Sequence, residues 1–420
     1  MTRLKQSKYY VLIVVAVCFL VEFLALGFCS GTKKLFLGPI TEALGFERSL
    51  FGFNDTCRYV FTALLALFFG PLISRFGTKK LLAAGFLSLI LSTTCYAVAN
   101  NIYVFYIGGC LLGIGMGLTT STMITSIIRA WCKGPHTGKI LGLVLGANGI
   151  GGATATMILS PIIASSTFGY RTAYLVIIPL LVIVGMLAVI FLDDPAEGGV
   201  KVQKKKGRGN NWVGLDYSVA RRKAFFYAAL FGVFLTGMML QGASGIDKAH
   251  MSDVGISEAY ITGIISMGAL ILTCAKFLTG ACYDKFGLRV TLLLCDMIAV
   301  VAMVTLAAAG PSPSGMTYAL IHCVCSPLSL PLETVMLSLI TNDMFGDASF
   351  NKVLGIVTAV NYAGFAVCSP LVNLCYDVFG TYVPVLYAFA VMMLVVAVVF
   401  QFAITSAHKT RRAVEAQICA

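Results

Sequence analysis

Apolar stretches that lack charged residues recur along the whole chain, and each is long enough to cross a lipid bilayer. A helix needs about 20 mostly apolar residues to span the hydrocarbon core. We therefore expect an all-α, multi-pass protein of the cell membrane with twelve transmembrane helices. The pattern predicts these helices near residues 9–32, 49–72, 81–98, 103–130, 140–165, 172–192, 223–246, 258–281, 289–309, 316–341, 352–375 and 383–405.

Composition agrees with that reading. Of the 420 residues, 58% are hydrophobic and 11% are charged, whereas soluble domains carry about 25% charged residues. Disordered chains have the opposite balance of apolar and charged residues. Twelve helices of about 20 residues would use about 240 residues, so most of the chain is expected to lie in the bilayer.

The net charge of +12 indicates orientation. If the N-terminus is inside, 23 of the 30 basic residues fall in the N-terminal segment, the alternate loops and the C-terminal tail. Cytoplasmic loops of membrane proteins are enriched in Lys and Arg. We therefore expect both termini to be cytoplasmic, and we do not expect nucleic acid as a partner.

Metal, cofactor and enzyme signals are weak. None of the 14 cysteines shows a C-x-x-C spacing, and most lie in predicted helices, where Cys packs as a small apolar residue. The Cys/His cluster from His322 to Cys325 lacks a second ligand group. The sequence has no phosphate loop with Lys-Ser/Thr and no nucleophile constellation. We therefore expect no metal, no cofactor and no enzymatic activity.

Two similar short turns indicate that the chain contains an internal repeat. Gly70–Lys80 follows the second predicted helix and Gly280–Arg289 follows the eighth, 210 residues later. Lys139 and Lys352, which open the fifth and eleventh helices, are 213 residues apart. Parallel repeats of this kind are found in secondary transporters, whose substrate site lies between the repeats near the midplane.

The repeat predicts three segments. An N-terminal six-helix half spans residues 1–192, and a basic cytoplasmic linker spans 193–222. The C-terminal half, with a short cytoplasmic tail, spans 223–420. We expect the two parallel halves to rock against each other and to work as a monomer.

The turn at Gly280–Arg289 matches Gly-x-x-x-Asp-Arg/Lys-x-Gly-x-Arg/Lys and so resembles the signature of the major facilitator superfamily. The resemblance implies that superfamily's fold and a cytoplasmic gate. The first copy carries Ser74 where the Asp is expected, so a symmetric charge latch is not predicted. The gate residues implied by the two copies are Gly280, Asp284, Lys285, Gly287, Arg289, Gly70, Arg75 and Gly77.

Within the superfamily, the chain resembles the monocarboxylate transporters and the oxalate:formate antiporters. The resemblance rests on Gly27–Lys34 with the Gly-Pro-Ile that follows, on Asn342–Gly346, and on a basic residue eight positions before Asp284. It implies that Lys276 pairs with a substrate carboxylate, although the families usually have Arg there. It also implies that Lys34, rather than its neighbour Lys33, binds an anion.

The chain departs from both families in its remaining charges. Asn361 and Tyr362 stand where the antiporters have a second lysine, and Leu272 stands where the monocarboxylate carriers have an Asp. A dianion held by two buried cations is therefore disfavoured, and a monoanion or a larger amphipathic carboxylate fits better.

Ionisable side chains inside membrane spans are costly and are functional candidates by default. Asp55 and Arg58 are three residues apart on one helix face and can pair. Pro327 and Pro331 interrupt the tenth helix and could open a cavity beside His322 and Glu333. The candidates for substrate binding are Lys276, Lys34, Arg58, Asn361, Tyr362 and His322, and those for coupling are Glu22, Asp55 and Glu333.

The resulting hypothesis is a secondary transporter of a small organic anion, foremost a monocarboxylate, by proton symport or anion exchange. Its partners would be the carboxylate, a proton or counter-anion, and the lipid bilayer. Glu22, Asp55 and Glu333 as internal anions leave open an exporter of amphipathic or cationic compounds. A membrane sensor is the third alternative, for which a signalling domain or a long tail would be expected.

Overall fold

The computed structural model describes residues 8–132, 137–192, 217–346 and 350–419, and over these ranges it contains helices and no strand. The N-terminal half comprises α1 (Lys8–Val21), a π-helical segment (Glu22–Ser30), a 3-10 turn (Lys33–Leu35), α2 (Leu37–Leu44), α3 (Arg48–Phe76), α4 (Thr78–Val98), α5 (Ile102–Thr119), α6 (Ser121–Trp131), α7 (Thr137–Ala164) and α8 (Gly169–Phe191). The rest comprises α9 (Tyr217–Ala220), α10 (Ala224–Asp253), α11 (Glu258–Ala307), α12 (Pro313–Ser329), a second 3-10 turn (Leu330–Glu333), α13 (Val335–Phe345), α14 (Phe350–Phe379) and α15 (Val383–Cys419).

The helices account for twelve crossings of a bilayer. In the described ranges, 10 helices are long and apolar enough to span. One of them, α11, has 50 residues and is broken at Gly287, whose φ is 76°, so it supplies two crossings. The 29-residue helix α3 adds another despite its charged residues. The prediction of a twelve-helix, all-α membrane protein is thus confirmed.

Two predicted helices are not continuous. The fourth breaks at Thr120, which has extended backbone angles between α5 and α6. The tenth changes to a 3-10 turn after Ser329 and resumes at Val335. Pro331 lies at the start of that turn, and proline lacks the N–H that an α-helix needs. The basic segment 201–211 of the predicted linker lies outside the described residues.

The repeat is present in the backbone. Gly45 and Gly255 have φ of 66° and 86°, and Gly77 and Gly287 have φ of 75° and 76°. The members of each pair are 210 residues apart. Positive φ costs an L-residue roughly 1–2 kcal/mol and costs glycine little. Equivalent turns in the two halves therefore use the same left-handed glycine conformation.

Over the described residues the two halves meet mainly where α3 packs on α14, where α7 packs on α11, and where the first 3-10 turn and α2 contact α10. We call the end of the bundle near the linker the inner end, which is expected to face the cytoplasm, and the opposite end the outer end. Large apolar side chains such as Leu67 and Val398 are exposed on the bundle, as expected for a surface that faces lipid.

Candidate functional site

A cavity of about 320 Å³ lies between the two halves. Its wall includes residues from the first span, α3 and α7 on one side, and from α10, α11, the broken tenth span and α14 on the other. Six of the nine substrate and coupling candidates line it: Lys34, Arg58, Lys276, His322, Asp55 and Glu333. The structure thus brings together candidates that are up to 299 positions apart in the chain, from Lys34 to Glu333.

The first span is π-helical over the nine residues Glu22–Ser30. Such segments are rare and are frequent at functional sites. Small residues permit a close approach here, because a Cβ atom on Gly27 would lie 2.6 Å from the Cα of Gly151 in α7. The span then turns at Gly31, and the 3-10 turn that follows directs Lys33 and Lys34 to the cavity.

A first cluster of charges surrounds Asp55 of α3. Lys33 forms an ion pair with its carboxylate, and Arg58 Nη1 lies 3.9 Å from Asp55 Oδ1. Arg58 also donates a hydrogen bond to the hydroxyl of Ser30, and its guanidinium lies 4.7 Å from the ring centre of Tyr59. The contact between Asp55 and Arg58 expected from their spacing is present, but Lys33 is the nearer partner.

A second cluster joins the two halves. Lys34 Nζ lies 2.6 Å from Asp247 Oδ2 on α10, and His322 Nε2 lies 4.0 Å from the same oxygen. Sequence reasoning missed Asp247 because the predicted helix 223–246 ended one residue before it. Helix α10 continues to Asp253, so Asp247 is a buried acid within a span. If the predicted helix had been longer, Asp247 would have counted as an ionisable residue inside a span and therefore as a functional candidate.

Lys276 of α11 has a different environment. Its Nζ lies 3.5 Å from Asn148 Oδ1 on α7, and no carboxylate oxygen of the described residues lies within 4.0 Å of it. Glu22 is fully buried in the π-helical segment and does not line the cavity. Lys276 is therefore a cavity cation that no neighbouring acid contacts directly.

The break in the tenth span brings Glu333 to the cavity. Its side chain is buried, and in the described part of the chain Oε1 has no hydrogen-bond partner. Asn361 and Tyr362 do not line the cavity. The amide of Asn361 donates to the backbone oxygen of Glu333 over 3.4 Å, and the ring of Tyr362 stacks on Tyr59 with centres 6.4 Å apart. Asn361 and Tyr362 therefore lie behind the cavity wall, whereas the sequence analysis named them as candidates for substrate binding.

The predicted gate residues lie at the inner end. Arg75, Asp284, Lys285 and Arg289 are exposed there. Arg289 donates to Thr405 Oγ1 over 2.5 Å, a contact to α15 within its own half. Gly77 and Gly287 form the left-handed turns described above, Gly280 lies within α11, and Gly70 lies within α3.

The outer end contains a polar contact that the sequence did not predict. Arg48, the first residue of α3, reaches Asp253 at the end of α10. The helix that the sequence predicts near residues 49–72 leaves Arg48 just outside it. Lys276 and Asp55 lie deeper in the bundle, so this contact is separate from the cavity charges and closes the outer end of the interface.

Within the described ranges, no group of three or more His, Cys, Asp or Glu side chains could hold a metal ion. The 13 cysteines whose side chains are described form no disulfide. His322 and Cys323 line the cavity without forming such a group. The chemistry that the site offers is thus charge pairing and hydrogen bonding.

Comparison with known proteins agrees with the fold. A family model described as Major Facilitator Superfamily matches residues 15–342. The MFS-type transporter YcxA of Bacillus subtilis (strain 168) is 26% identical over 62% of this chain and 62% of its own length. The nitrite extrusion protein of the same organism is 28% identical over 51% of this chain and 52% of its own.

The sialic acid transporter NanX of Escherichia coli (strain K12) is 20% identical over 53% of each chain. The matches therefore span between half and two thirds of these relatives, at 62%, 52% and 53%. Among solved structures, a variant of the nucleoside transporter NupG has a TM-score of 0.79 at 12% identity, over 93% of this chain and 99% of that chain.

A bacterial homologue of the human lysosomal transporter Spinster, in an inward-facing and unoccupied conformation, has a TM-score of 0.69 at 14% identity, over 97% and 98% of the two chains. At these identities the two structures support the fold alone. The family match covers most of the chain and ends before α14 and α15. The relatives named above are transporters, and the chain is a multi-pass membrane protein that belongs to the Major Facilitator Superfamily.

Proposed function

We propose that this transporter moves a small organic anion, foremost a monocarboxylate, by alternating access of the cavity to the two sides of the membrane. The observation that carries the proposal is Lys276, a partly buried ammonium group in the cavity with no carboxylate of the described residues within 4.0 Å. A buried cation without a close counter-charge is costly. A substrate carboxylate at Lys276 would supply that counter-charge.

The sum of the cavity charges favours one negative charge on the substrate. Four cations line the cavity, and three carboxylates face them. Counted formally, with every acid ionised and His322 neutral, the balance is +1, so a monoanion that enters without a proton brings the cavity to neutrality. The cations are Lys33, Lys34, Arg58 and Lys276, and the acids are Asp55, Asp247 and Glu333.

The pairing of these charges argues for an anion over a cation. Asp55 and Asp247 already hold lysines by direct ion pairs, so two of the three acids are occupied. The resemblance to monocarboxylate carriers points the same way. Among the relatives, one is named for nitrite, which is an anion, and another for sialic acid, which is an acid.

An exporter of cationic or amphipathic compounds is the second candidate, and one observation favours it. Glu333 faces the cavity with one oxygen that has no hydrogen-bond partner in the described residues. A substrate cation could bind there. In that case neutralising Glu333 would abolish transport, whereas carboxylate transport would survive it. A sensor that moves nothing would show binding without uptake.

Uptake into proteoliposomes tests the proposal. Labelled formate, lactate, pyruvate and oxalate would be supplied to the wild type, Lys276→Arg, Lys276→Ala and the control Lys80→Ala, which removes an exposed lysine at the start of α4. We expect uptake of at least one monocarboxylate, retained in the control and lost in Lys276→Ala. Absence of carboxylate uptake by the wild type, or full uptake by Lys276→Ala, would contradict the proposal.

A further inference from the structure

Asp247 Oδ2 has two neighbours of different character. Lys34 donates to it over 2.6 Å, and His322 Nε2 stands 4.0 Å away. The other carboxylate oxygen, Oδ1, accepts the backbone N–H of Lys248 over 2.6 Å. One oxygen of this carboxylate is thus shared between a lysine from the N-terminal half and a histidine from the tenth span.

The hydrogen bond on the far side of the ring fixes where the histidine proton lies. His322 Nδ1 is 2.8 Å from the backbone oxygen of Ala302. A carbonyl oxygen can only accept, so we assign the hydrogen to Nδ1. In the neutral ring Nε2 then carries a lone pair. It is buried and has no hydrogen-bond partner in the described residues.

His322 Nε2 and Asp247 Oδ2 are both hydrogen-bond acceptors in this state, so no hydrogen bond can form between them until a proton binds. Adding a proton to Nε2 would turn two acceptors into a donor and an acceptor, and closure of the 4.0 Å gap by about 1 Å would give an ordinary charged hydrogen bond. Histidine is the side chain whose charge ordinarily changes near neutral pH.

We propose that His322 Nε2 and Asp247 Oδ2 form the proton-binding site of this transporter, and that Lys34 links its occupancy to the bound anion. This inference rests on the proposed function. In the empty state Lys34 pairs with Asp247, and His322 is neutral. In the loaded state Lys34 joins Lys276 in pairing with the substrate carboxylate, and the imidazolium of His322 pairs with Asp247. One anion and one proton enter together, so the cavity charge returns to its starting value when both leave.

The surrounding groups favour this order of events. The titratable and charged groups around His322 are Asp247 and His250 on α10 and Lys34 on the 3-10 turn, and α11 contributes the Ala302 carbonyl. While Lys34 stays on Asp247, its positive charge opposes a second positive charge on the ring. A bound carboxylate cancels that repulsion and leaves Asp247 in need of a partner.

Asp247 differs from the candidate acid Asp55 in the origin of the cation that pairs with it. Asp55 is held by Lys33 and lies beside Arg58, both cations of its own half. Asp247 is the cavity acid whose cation comes from the opposite half. A substrate that breaks the contact between Lys34 and Asp247 therefore also loosens one link between the halves, which connects proton binding to their movement.

Two transport assays test the assignment with formate, lactate and pyruvate as probes. The first is exchange of labelled for unlabelled probe without a pH difference. The second is accumulation driven by an acidic outside. The test variant is His322→Asn, whose amide can still donate to Ala302 but cannot titrate. The control is His408→Asn, which changes a histidine that pairs with Asp343 away from the cavity.

We expect the wild type to accumulate its probe about tenfold for about one unit of pH difference, and His322→Asn to exchange the probe but not accumulate it. His408→Asn should behave like the wild type. Accumulation by His322→Asn at the wild-type level would overturn the proton site. Exchange by the wild type that never becomes accumulation would also overturn it while leaving anion transport intact. Absence of exchange in the wild type would instead remove the proposed function itself.

A measurement on the unmodified protein guards against a variant that does not fold. Purified wild type in weakly buffered detergent solution should take up protons when the transported probe is added, read with a pH indicator. We expect alkalinisation that saturates with the probe. Binding of the probe with no proton uptake from pH 6 to pH 8 would contradict the assignment, because the range brackets the ordinary pKa of about 6.5 for histidine.

Discussion

Arg48 and Asp253 form a two-point ion pair across the outer end of the interface between the halves. The guanidinium of Arg48 donates to both oxygens of the carboxylate, with distances of 2.5 and 2.8 Å. The side chains are 8% and 22% exposed. Two parallel hydrogen bonds between charged groups are stronger and more directional than a single one, so this pair holds the outer ends of α3 and α10 together.

A second contact strengthens the same end. Asp377 of α14 accepts the backbone N–H groups of Arg48 and Ser49 over 3.2 and 2.8 Å. These are among the first N–H groups of α3, which have no partner inside the helix. A carboxylate at a helix N-terminus is also favoured by the helix dipole. One half therefore caps a helix of the other.

We predict that Arg48→Ala opens the outer end. Loss of a buried, charge-assisted hydrogen-bond pair costs about 1–3 kcal/mol, which would raise the population of the outward-open state at least several-fold. The measurement is labelling of a cysteine at Ser244, a cavity residue, by an impermeant maleimide from outside after the other cysteines are replaced. Glu42→Ala is the control, because Glu42 lies 4.0 Å from Arg48 but is 74% exposed. Equal labelling in Arg48→Ala and Glu42→Ala would show that the ion pair between Arg48 and Asp253 does not hold the outer end closed.

We predict that Asn148→Asp competes with the substrate for Lys276. The new carboxylate would stand where Asn148 Oδ1 now lies, 3.5 Å from the ammonium group, and would both pair with Lys276 and repel an incoming anion. Affinity for the transported monocarboxylate should fall at least about tenfold. Asn148→Ala removes the amide without adding charge and should have a smaller effect. The readout is the concentration dependence of uptake, and equal losses in both variants would argue against Lys276 as the anion site.

We predict that Glu333→Gln changes substrate preference. Removing this carboxylate raises the cavity balance from +1 to +2, counted over the seven charged residues that line it. A dianion such as oxalate should then gain at least severalfold in affinity relative to lactate, because each cavity charge acts in a low-dielectric environment. Competition against labelled lactate measures the ratio. Glu42→Gln, a change at an exposed residue of the outer end, should leave the ratio unchanged, and an unchanged ratio in Glu333→Gln would count against the charge argument.

We predict that Gly27→Ala destabilises the folded protein. The added Cβ would lie 2.6 Å from backbone atoms of Gly151, and backbone cannot move aside as a flexible side chain can. Overpacking of this kind costs about 1–3 kcal/mol, which thermal unfolding in detergent would register as a lower midpoint. Gly263→Ala is the matched control, since no atom lies within 4 Å of its added Cβ. A midpoint lowered equally by both changes would contradict the close contact.

Most of the fold could be predicted from the pattern of hydrophobic residues. The twelve crossings follow from runs of apolar residues, because backbone in lipid must satisfy its own hydrogen bonds and forms helices. The turns at Gly77 and Gly287 were located by their matching residues 210 positions apart. Such features depend on a few neighbours in sequence, and a single chain is enough to find them.

Details of the site depended on tertiary structure that local patterns do not contain. Arg48 and Asp247 were each missed by one residue at a helix boundary, the least certain part of a helix prediction. Asn361 and Tyr362 were predicted to bind substrate from their position along α14. In the structure they do not line the cavity and instead contact Glu333 and Tyr59. The pairing of Lys34 with Asp247 joins residues 213 apart and arises only when the halves meet.

The π-helical segment has a mechanical consequence for the two lysines that follow it. In an α-helix each residue turns the chain by about 100°, so a shift of the Glu22–Ser30 segment by one residue toward α-helical pairing would rotate everything after it by a similar angle. Lys33 and Lys34 would turn as one unit. Their carboxylate partners, Asp55 and Asp247, sit on different halves, so a single twist of the first span would release both ion pairs at once.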